Sequence, residues 1–284
     1  MNYQWYPGHM MKAKRMMEEN IKLIDIIIEL VDARIPLSSR NPDIDELGKN
    51  KSRLILLNKS DLADDQWNEE WITYFKGLGY AVVKINSKTG AGMKAIQGAV
   101  QEACKDKIER DRKRGILNRP VRAMVVGIPN VGKSTFINSF AGKACTKTGN
   151  KPGVTKGKQW IRLNRNIELL DTPGILWPKF SDQDVGLRLA MIGSINDEIL
   201  NTEELALELI KFFVEFKPTV LASRYELSDL KKEPMELLCD IAINRHCLQK
   251  GNLPNTDKAA GMLIDDFRRG KFGRITLERP PKGE

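Results

Sequence analysis

The chain has 284 residues, 41% hydrophobic and 29% charged, the balance of a folded globular protein and not of a disordered or membrane-embedded one. Lys and Arg exceed Asp and Glu by 46 to 37, a net charge of +9, which favours a polyanionic partner. The four cysteines are scattered and include no Cys-x-x-Cys pair, which excludes a disulfide framework or a zinc ribbon as the organising element.

The first ten residues, MNYQWYPGHM, have neither the apolar run of a secretory signal nor the character of a transit peptide, so a cytoplasmic address is expected. Met10, Met11, Met16 and Met17, interleaved with Lys12, Lys14 and Arg15, read as an amphipathic arm that is packed or faces a partner. The most apolar stretch, Ile24–Val31, carries Asp25 and Glu29 and is far shorter than the roughly 20 residues that cross a bilayer; a buried strand is predicted over Ile26–Val31. Short apolar runs predict further strands at Arg53–Leu57, Ala81–Ile85, Val121–Val126 and Ile167–Leu170. Helix-compatible stretches such as Asp64–Leu78 and Gly92–Arg110 lie between them, the spacing of βαβ units in a mostly parallel sheet. After Trp177-Pro178 the pattern turns helical, with helices expected from Thr202, near Pro234 and near Thr256. The expected architecture is an α/β P-loop domain over residues 1–178 and a small all-helical domain over 179–284.

Motifs at the ends of these strands predict GTP binding and hydrolysis. Asn58-Lys59-Ser60-Asp61 follows the second strand, where nucleotides bind in such folds. Asp61 can accept from guanine N1–H and N2–H₂, donors that adenine lacks, with Asn58 on the O6 side and the Lys59 stem along the ring. Asn86-Ser87-Lys88 follows the third strand and suits a loop that backs the guanine O6. Gly127-Ile128-Pro129-Asn130-Val131-Gly132-Lys133-Ser134, then Thr135, lies between a strand and a helix. There backbone N–H groups and the helix N-terminus can cradle phosphates, Lys133 can reach the β- and γ-phosphates, and Ser134 can ligate Mg²⁺. Thr155 in Gly153-Val154-Thr155 is the candidate first-switch residue that would complete the Mg²⁺ shell. In Asp171-Thr172-Pro173-Gly174, Asp171 is expected toward Mg²⁺, directly or through water, and the Gly174 N–H toward the γ-phosphate. The base reader precedes the phosphate loop, a circularly permuted order that a parallel sheet tolerates. The second switch then runs within a few residues into the helical domain, which loss of the γ-phosphate could move.

The permuted order, Trp5-Tyr6-Pro7-Gly8-His9-Met10, Val31-Asp32-Ala33-Arg34-Ile35-Pro36 and Asp171-Thr172-Pro173-Gly174-Ile175-Leu176-Trp177-Pro178 resemble the ribosome biogenesis GTPase A family over the whole chain. That resemblance implies a factor that binds GTP and GDP, the large ribosomal subunit and its rRNA, and acts late in subunit assembly; a monomer is expected. Basic clusters at Arg110–Arg119, at Lys143–Arg165 and at Arg268, Arg269, Lys271 and Arg274 fit rRNA better than a membrane; Arg34 and Arg40 are read as surface charge or RNA contacts. A GTP-dependent RNA-binding scaffold and a regulatory GTPase with incidental hydrolysis are the alternatives. Ras-like enzymes place a glutamine after Asp-x-x-Gly, where this chain has Ile175, which cannot orient water. By the resemblance His9 is a candidate to polarise water; a local hydrogen-bonding or RNA-contacting role is the other reading. Asn130 stands where potassium-using relatives place an asparagine ligand, so K⁺ is a candidate cofactor beside Mg²⁺; a structural asparagine in a tight turn is the alternative.

Overall fold

Strands and helices alternate from the N-terminal arm onward in a computed structural model that describes residues 8–117, 119–142, 159–163, 165–177 and 182–281. Helix α1 (Gly8–Asn20) leads to β1 (Ile26–Asp32), α2 (Asp43–Leu47), β2 (Ser52–Asn58), α3 (Asp65–Gly77), β3 (Ala81–Lys84), α4 (Met93–Ala103), α5 (Lys105–Lys113), β4 (Val121–Gly127), α6 (Lys133–Ala141), β5 (Gln159–Arg162) and β6 (Ile167–Asp171). The sheet order is β3-β2-β1-β4-β6-β5. All neighbours are parallel except the β5–β6 pair. β1 is buried along its whole length because it sits mid-sheet, covered on both faces, which is why its sequence is a nearly continuous apolar run.

The expected strands form with bounds extended or trimmed by a residue. β5 is an addition: Gln-Trp-Ile-Arg lies in a basic run and carries no period-2 apolar signal strong enough to stand out. The expected helix Gly92–Arg110 breaks at Cys104 into α4 and α5. In α1, Met10, Ala13 and Met17 are buried while Met11 is exposed, so the methionines split between a packed face and a solvent face, and Lys14 pairs with Asp43 at 2.9 Å.

The chain divides into two compact units, Met1–Val185 with Thr276–Glu284, and Gly186–Ile275. The division falls within α7 (Gln183–Met191). The second unit holds α8 (Thr202–Phe216), α9 (Pro218–Tyr225), α10 (Pro234–Asn244), the two-residue strands β7 (Leu248–Gln249) and β8 (Leu253–Pro254), and α11 (Thr256–Arg268). Asn201 and Asn255 cap α8 and α11 by accepting from backbone N–H groups of the first turn, and a reciprocal Glu233/Glu236 capping box starts α10. Its core is apolar, built on Leu205, Leu209, Phe213, Leu237, Ile241, Leu263 and Phe267, whereas Phe216 is exposed. Residues 276–281, read from the sequence as part of the helical domain, pack on the first unit instead. They have no helical periodicity, and their backbone is taken up by partners there: the Leu277 N–H donates to the Arg34 carbonyl at 2.8 Å. Among the described residues no helix is long and apolar enough to cross a membrane.

Candidate functional site

The carboxyl ends of β1, β2, β4 and β6 bring the predicted loops together. Asn58, the last residue of β2, is buried and binds two neighbouring loops through its amide. Its Nδ2 donates to the Val131 carbonyl at 2.8 Å, and its Oδ1 accepts from the Ser87 N–H at 3.0 Å and the Ser87 hydroxyl at 2.8 Å. One side chain thus ties the 58–61 loop to both the 127–134 loop and the 86–88 loop. This bracing role was not expected from the sequence, which placed Asn58 on the guanine O6 side. Asn86 shapes its own loop, accepting at Oδ1 from the Lys88 and Thr89 N–H groups at 2.9 and 3.1 Å, which leaves Lys88 exposed at the tip.

Lys59 has a left-handed backbone (φ 57°), and its ammonium reaches back to the Asn130 carbonyl at 3.0 Å. It also pairs with Asp32 Oδ2 at 3.0 Å. The same carboxylate is clamped bidentately by Arg34, Nε to Oδ1 at 2.9 Å and NH2 to Oδ2 at 2.8 Å. Burial alone would raise the Asp32 carboxyl; Arg34 and then Lys59 override it and hold the group well below the usual carboxylate range. Burial pushes the Lys59 ammonium below its usual value, and Asp32 opposes that. Asp61 is exposed, and among the described residues no side-chain hydrogen bond occupies its carboxylate, so its acceptors face solvent. Ser60 steadies the loop from below, its hydroxyl donating to the Ile85 carbonyl at 2.9 Å.

The phosphate-type loop has the shape its glycines demand. Gly132 has φ 97°, and a methyl group there would lie 2.5 Å from Asn58 Nδ2; the turn and the Asn58 brace therefore require the same glycine. Asn130 is left-handed too, at φ 59°, a conformation asparagine tolerates better than most residues. Lys133 opens α6, and its Nζ donates to Asp171 Oδ1 at 2.7 Å with both groups buried. Burial pushes the Lys133 ammonium down, against the attraction of Asp171. Among the described residues no donor reaches the buried Asp171 Oδ2. A buried carboxylate oxygen with no partner is costly, and a cation or a cation-bound water satisfies it; the residues here fit Mg²⁺ on that observation. Ser134 and Thr135 follow in the first turn of α6, half-buried.

Gly174 approaches the same loop from β6: a Cβ there would come 3.1 Å from the Pro129 Cα and nitrogen. Thr172 anchors the segment, its hydroxyl donating to the Val125 carbonyl at 2.7 Å, and Ile175 is buried, its N–H reaching the Gly127 carbonyl at 3.3 Å. Ile175 is a packing residue and supplies nothing to orient water. Thr155 lies outside the described residues. His9 falls in the first turn of α1, and its side chain lies outside them as well.

Arg34 and Arg40 are corrections to the surface reading. Both are buried; Arg40 bonds Glu29 Oε2 at 3.2 Å and Asp45 Oδ1 at 2.5 Å. Carboxylates on β1 and in α2 draw these guanidinia inward. The sequence reasoning also missed Asp32 as a site residue, although an acid at the carboxyl end of the strand beside β2 was the available signal.

The assembled loops can hold a ligand with phosphates at one end, over the N-terminus of α6, and a planar base at the other, beside Asp61. A family model described as 50S ribosome-binding GTPase matches residues 122–244, and one described as RsgA GTPase matches residues 46–180. The chain is 50% identical to the ribosome biogenesis GTPase A of Bacillus cereus, over 98% of this chain and 94% of that one. It is 47% identical to the protein of the same name from Bacillus pumilus, over 99% of each. Among solved structures, GDP-bound YlqF of T. maritima superposes with a TM-score of 0.69 at 27% identity, covering 94% of this chain and 99% of that one.

Proposed function

The chain belongs to the ribosome biogenesis GTPase A family and hydrolyses GTP, and from that premise we propose that it binds the large ribosomal subunit precursor and couples hydrolysis to a late step of its assembly. The observation that carries the site assignment is the Asn58 amide, which joins three loops into one cradle. In this reading Asp61 accepts from the guanine edge, while the Lys59 stem, fixed at its tip by Asn130 and Asp32, lies along the base. Ser87 and Lys88 offer backbone N–H groups to O6. The N–H groups of Asn130 to Thr135 and the Lys133 ammonium surround the phosphates, whose charge also restores the Lys133 proton affinity that burial lowers. Bound Mg²⁺, held by Ser134, Thr155 and Asp171, would neutralise charge developing on the β- and γ-phosphates. The Gly174 N–H would donate to the γ-phosphate.

Three features support rRNA as the partner: the net charge of +9, the basic clusters, and the 50S ribosome-binding description of the matching family model. The helical unit and these basic surfaces are the proposed contacts with the subunit, met by a monomeric protein in the cytoplasm. His9 is proposed to orient the attacking water in place of a switch glutamine, and Asn130 to ligate K⁺.

The test is GTP turnover with and without purified large subunits, in K⁺ and in Na⁺, for wild type and His9→Ala. Stimulation by subunits that His9→Ala loses, with GTP and subunit binding intact, is expected. Absence of stimulation in either salt would move the reading to an RNA-binding scaffold or a regulatory GTPase. Stimulation that survives the substitution removes His9 from the mechanism, and equal rates in the two salts remove K⁺.

A further inference from the structure

Residues 276–279 form a strap that grips both flanks of the base-reading loop. On one flank the Leu277 N–H donates to the Arg34 carbonyl at 2.8 Å. The buried Glu278 carboxylate accepts from the backbone N–H groups of Leu37 and Ser38 and from the Ser38 hydroxyl. Arg34 is the residue that clamps Asp32, and Asp32 in turn pairs with Lys59. On the other flank Thr276 Oγ1 accepts from the N–H of Asp64 at 3.0 Å, three residues beyond Asp61. Trp71 Nε1 donates to the Glu278 carbonyl at 3.3 Å, and the Arg279 guanidinium lies 4.7 Å over the Trp67 ring. Both tryptophans belong to α3, whose Asn68 donates to the Ser60 carbonyl at 3.1 Å. Two of the anchors lie two contacts from residues 58–61: Arg34 through Asp32 to Lys59, and Asp64, whose carbonyl accepts from the Asn68 N–H at 2.9 Å, through Asn68 to Ser60.

We infer that this strap is a positioning element of the guanine-nucleotide site: docked, it holds the 58–61 loop in its base-binding shape, and released, it speeds loss of GDP. The inference rests on the reading of residues 58–61 as the base reader. Leu277 acts through Arg34 and Asp32 on Lys59, Thr276 acts through Asp64 and Asn68 on Ser60, and Glu278 holds the strap in place by its bonds to Leu37, Ser38 and Trp71. Ionic and hydrogen-bonded contacts of this kind carry coupling because removing one partner leaves a buried group unsatisfied. Thr276 follows the helical unit by one peptide bond, so a macromolecule that draws on that unit, RNA in the present reading, has a direct covalent route to the strap. Coupling of this sort is reciprocal: bound GDP must favour the docked strap by the same factor by which the docked strap favours GDP.

The experiment is release of a fluorescent GDP analogue from the full-length protein by stopped flow. In Glu278→Ala, release should be about tenfold faster than in wild type, with Glu278→Gln, which retains one acceptor, in between. The preference for GDP over ADP should fall alongside, which a general loss of stability would not single out. A folded Glu278→Ala protein with wild-type release and selectivity overturns the inference. Should that variant fail to fold, Ser38→Ala, which removes one donor to Glu278, carries the same comparison with the same two outcomes. Asp61→Asn separates this inference from the reading beneath it, since an amide can donate to the 2-carbonyl of xanthine and preference should move to xanthine nucleotides. An Asp61→Asn protein that keeps its guanine preference overturns the base-reader assignment, and the strap's role with it.

Discussion

The two units bury different chemistry. In the first, charged and amide side chains are buried at the carboxyl ends of the central strands: Asp32, Arg34, Asn58, Lys133 and Asp171 are each at most 6% exposed. In the second, the interior is almost wholly aliphatic and aromatic, with Phe213 packed 4.4 Å from the Phe272 ring. Among the described residues its polar contacts include Asp266, shared by Arg224 and Tyr225, and Arg268, which binds Asp197 and the Ala190 and Met191 carbonyls. Burying ionic groups gives little net stability and often lowers it, so the polar interior of the first unit marks a site, whereas the apolar interior of the second marks a scaffold whose contacts lie on its surface.

That contrast can be broken from either side. Phe213→Ala should destabilise the helical unit by about 3–5 kcal/mol through the cavity it leaves, while GTP turnover without subunits stays near wild type; chemical denaturation and a turnover assay read the two effects. Lys133→Ala should do the reverse, lowering single-turnover GTP hydrolysis by about 10²–10³-fold with the melting of the helical unit unmoved. A smaller effect sharpens the electrostatic side. The Asp32 carboxyl titrates below its ordinary range when folded. Its ion pairs therefore contribute fully above the unfolded value of roughly 3.9, and that contribution is lost as pH falls below it toward the folded pKa. Urea midpoints measured from pH 6 to pH 3 should fall more steeply for wild type than for Asp32→Asn.

The loops of the site were legible in the sequence because their chemistry dictates residue types. A left-handed turn pressed against Asn58 requires Gly132, and a strand-to-helix junction that takes phosphate requires Lys133 near the helix start. What the sequence hid depends on contacts between distant segments. Arg34 and Arg40 look like surface charge until Asp32 and Glu29 are seen beside them, although Glu29 inside the run Ile26–Asp32 was a sign of a buried pairing. The bracing role of Asn58 was hidden because nothing in its own motif shows that its amide also binds Val131 and Ser87. β5 was missed because an edge strand of four residues in a basic run has too few apolar positions to show a period. The strap was missed for a related reason: Thr-Leu-Glu-Arg has no periodicity, and only its partners, 212 residues away in the case of Asp64 and Thr276, give it a structure.

Because residues 276–279 complete the first unit only after the whole of Gly186–Ile275, the order of synthesis matters to this protein. Domains generally fold as they emerge, N-terminal parts first. The sheet and the phosphate loop can therefore assemble while the helical unit is still being translated, but the Asp32–Lys59 corner receives its last support from segments made afterwards. A chain cut short within the helical unit would carry every nucleotide-binding motif and still lack the strap, so a nascent or truncated product would hold guanine nucleotide less firmly than the finished protein.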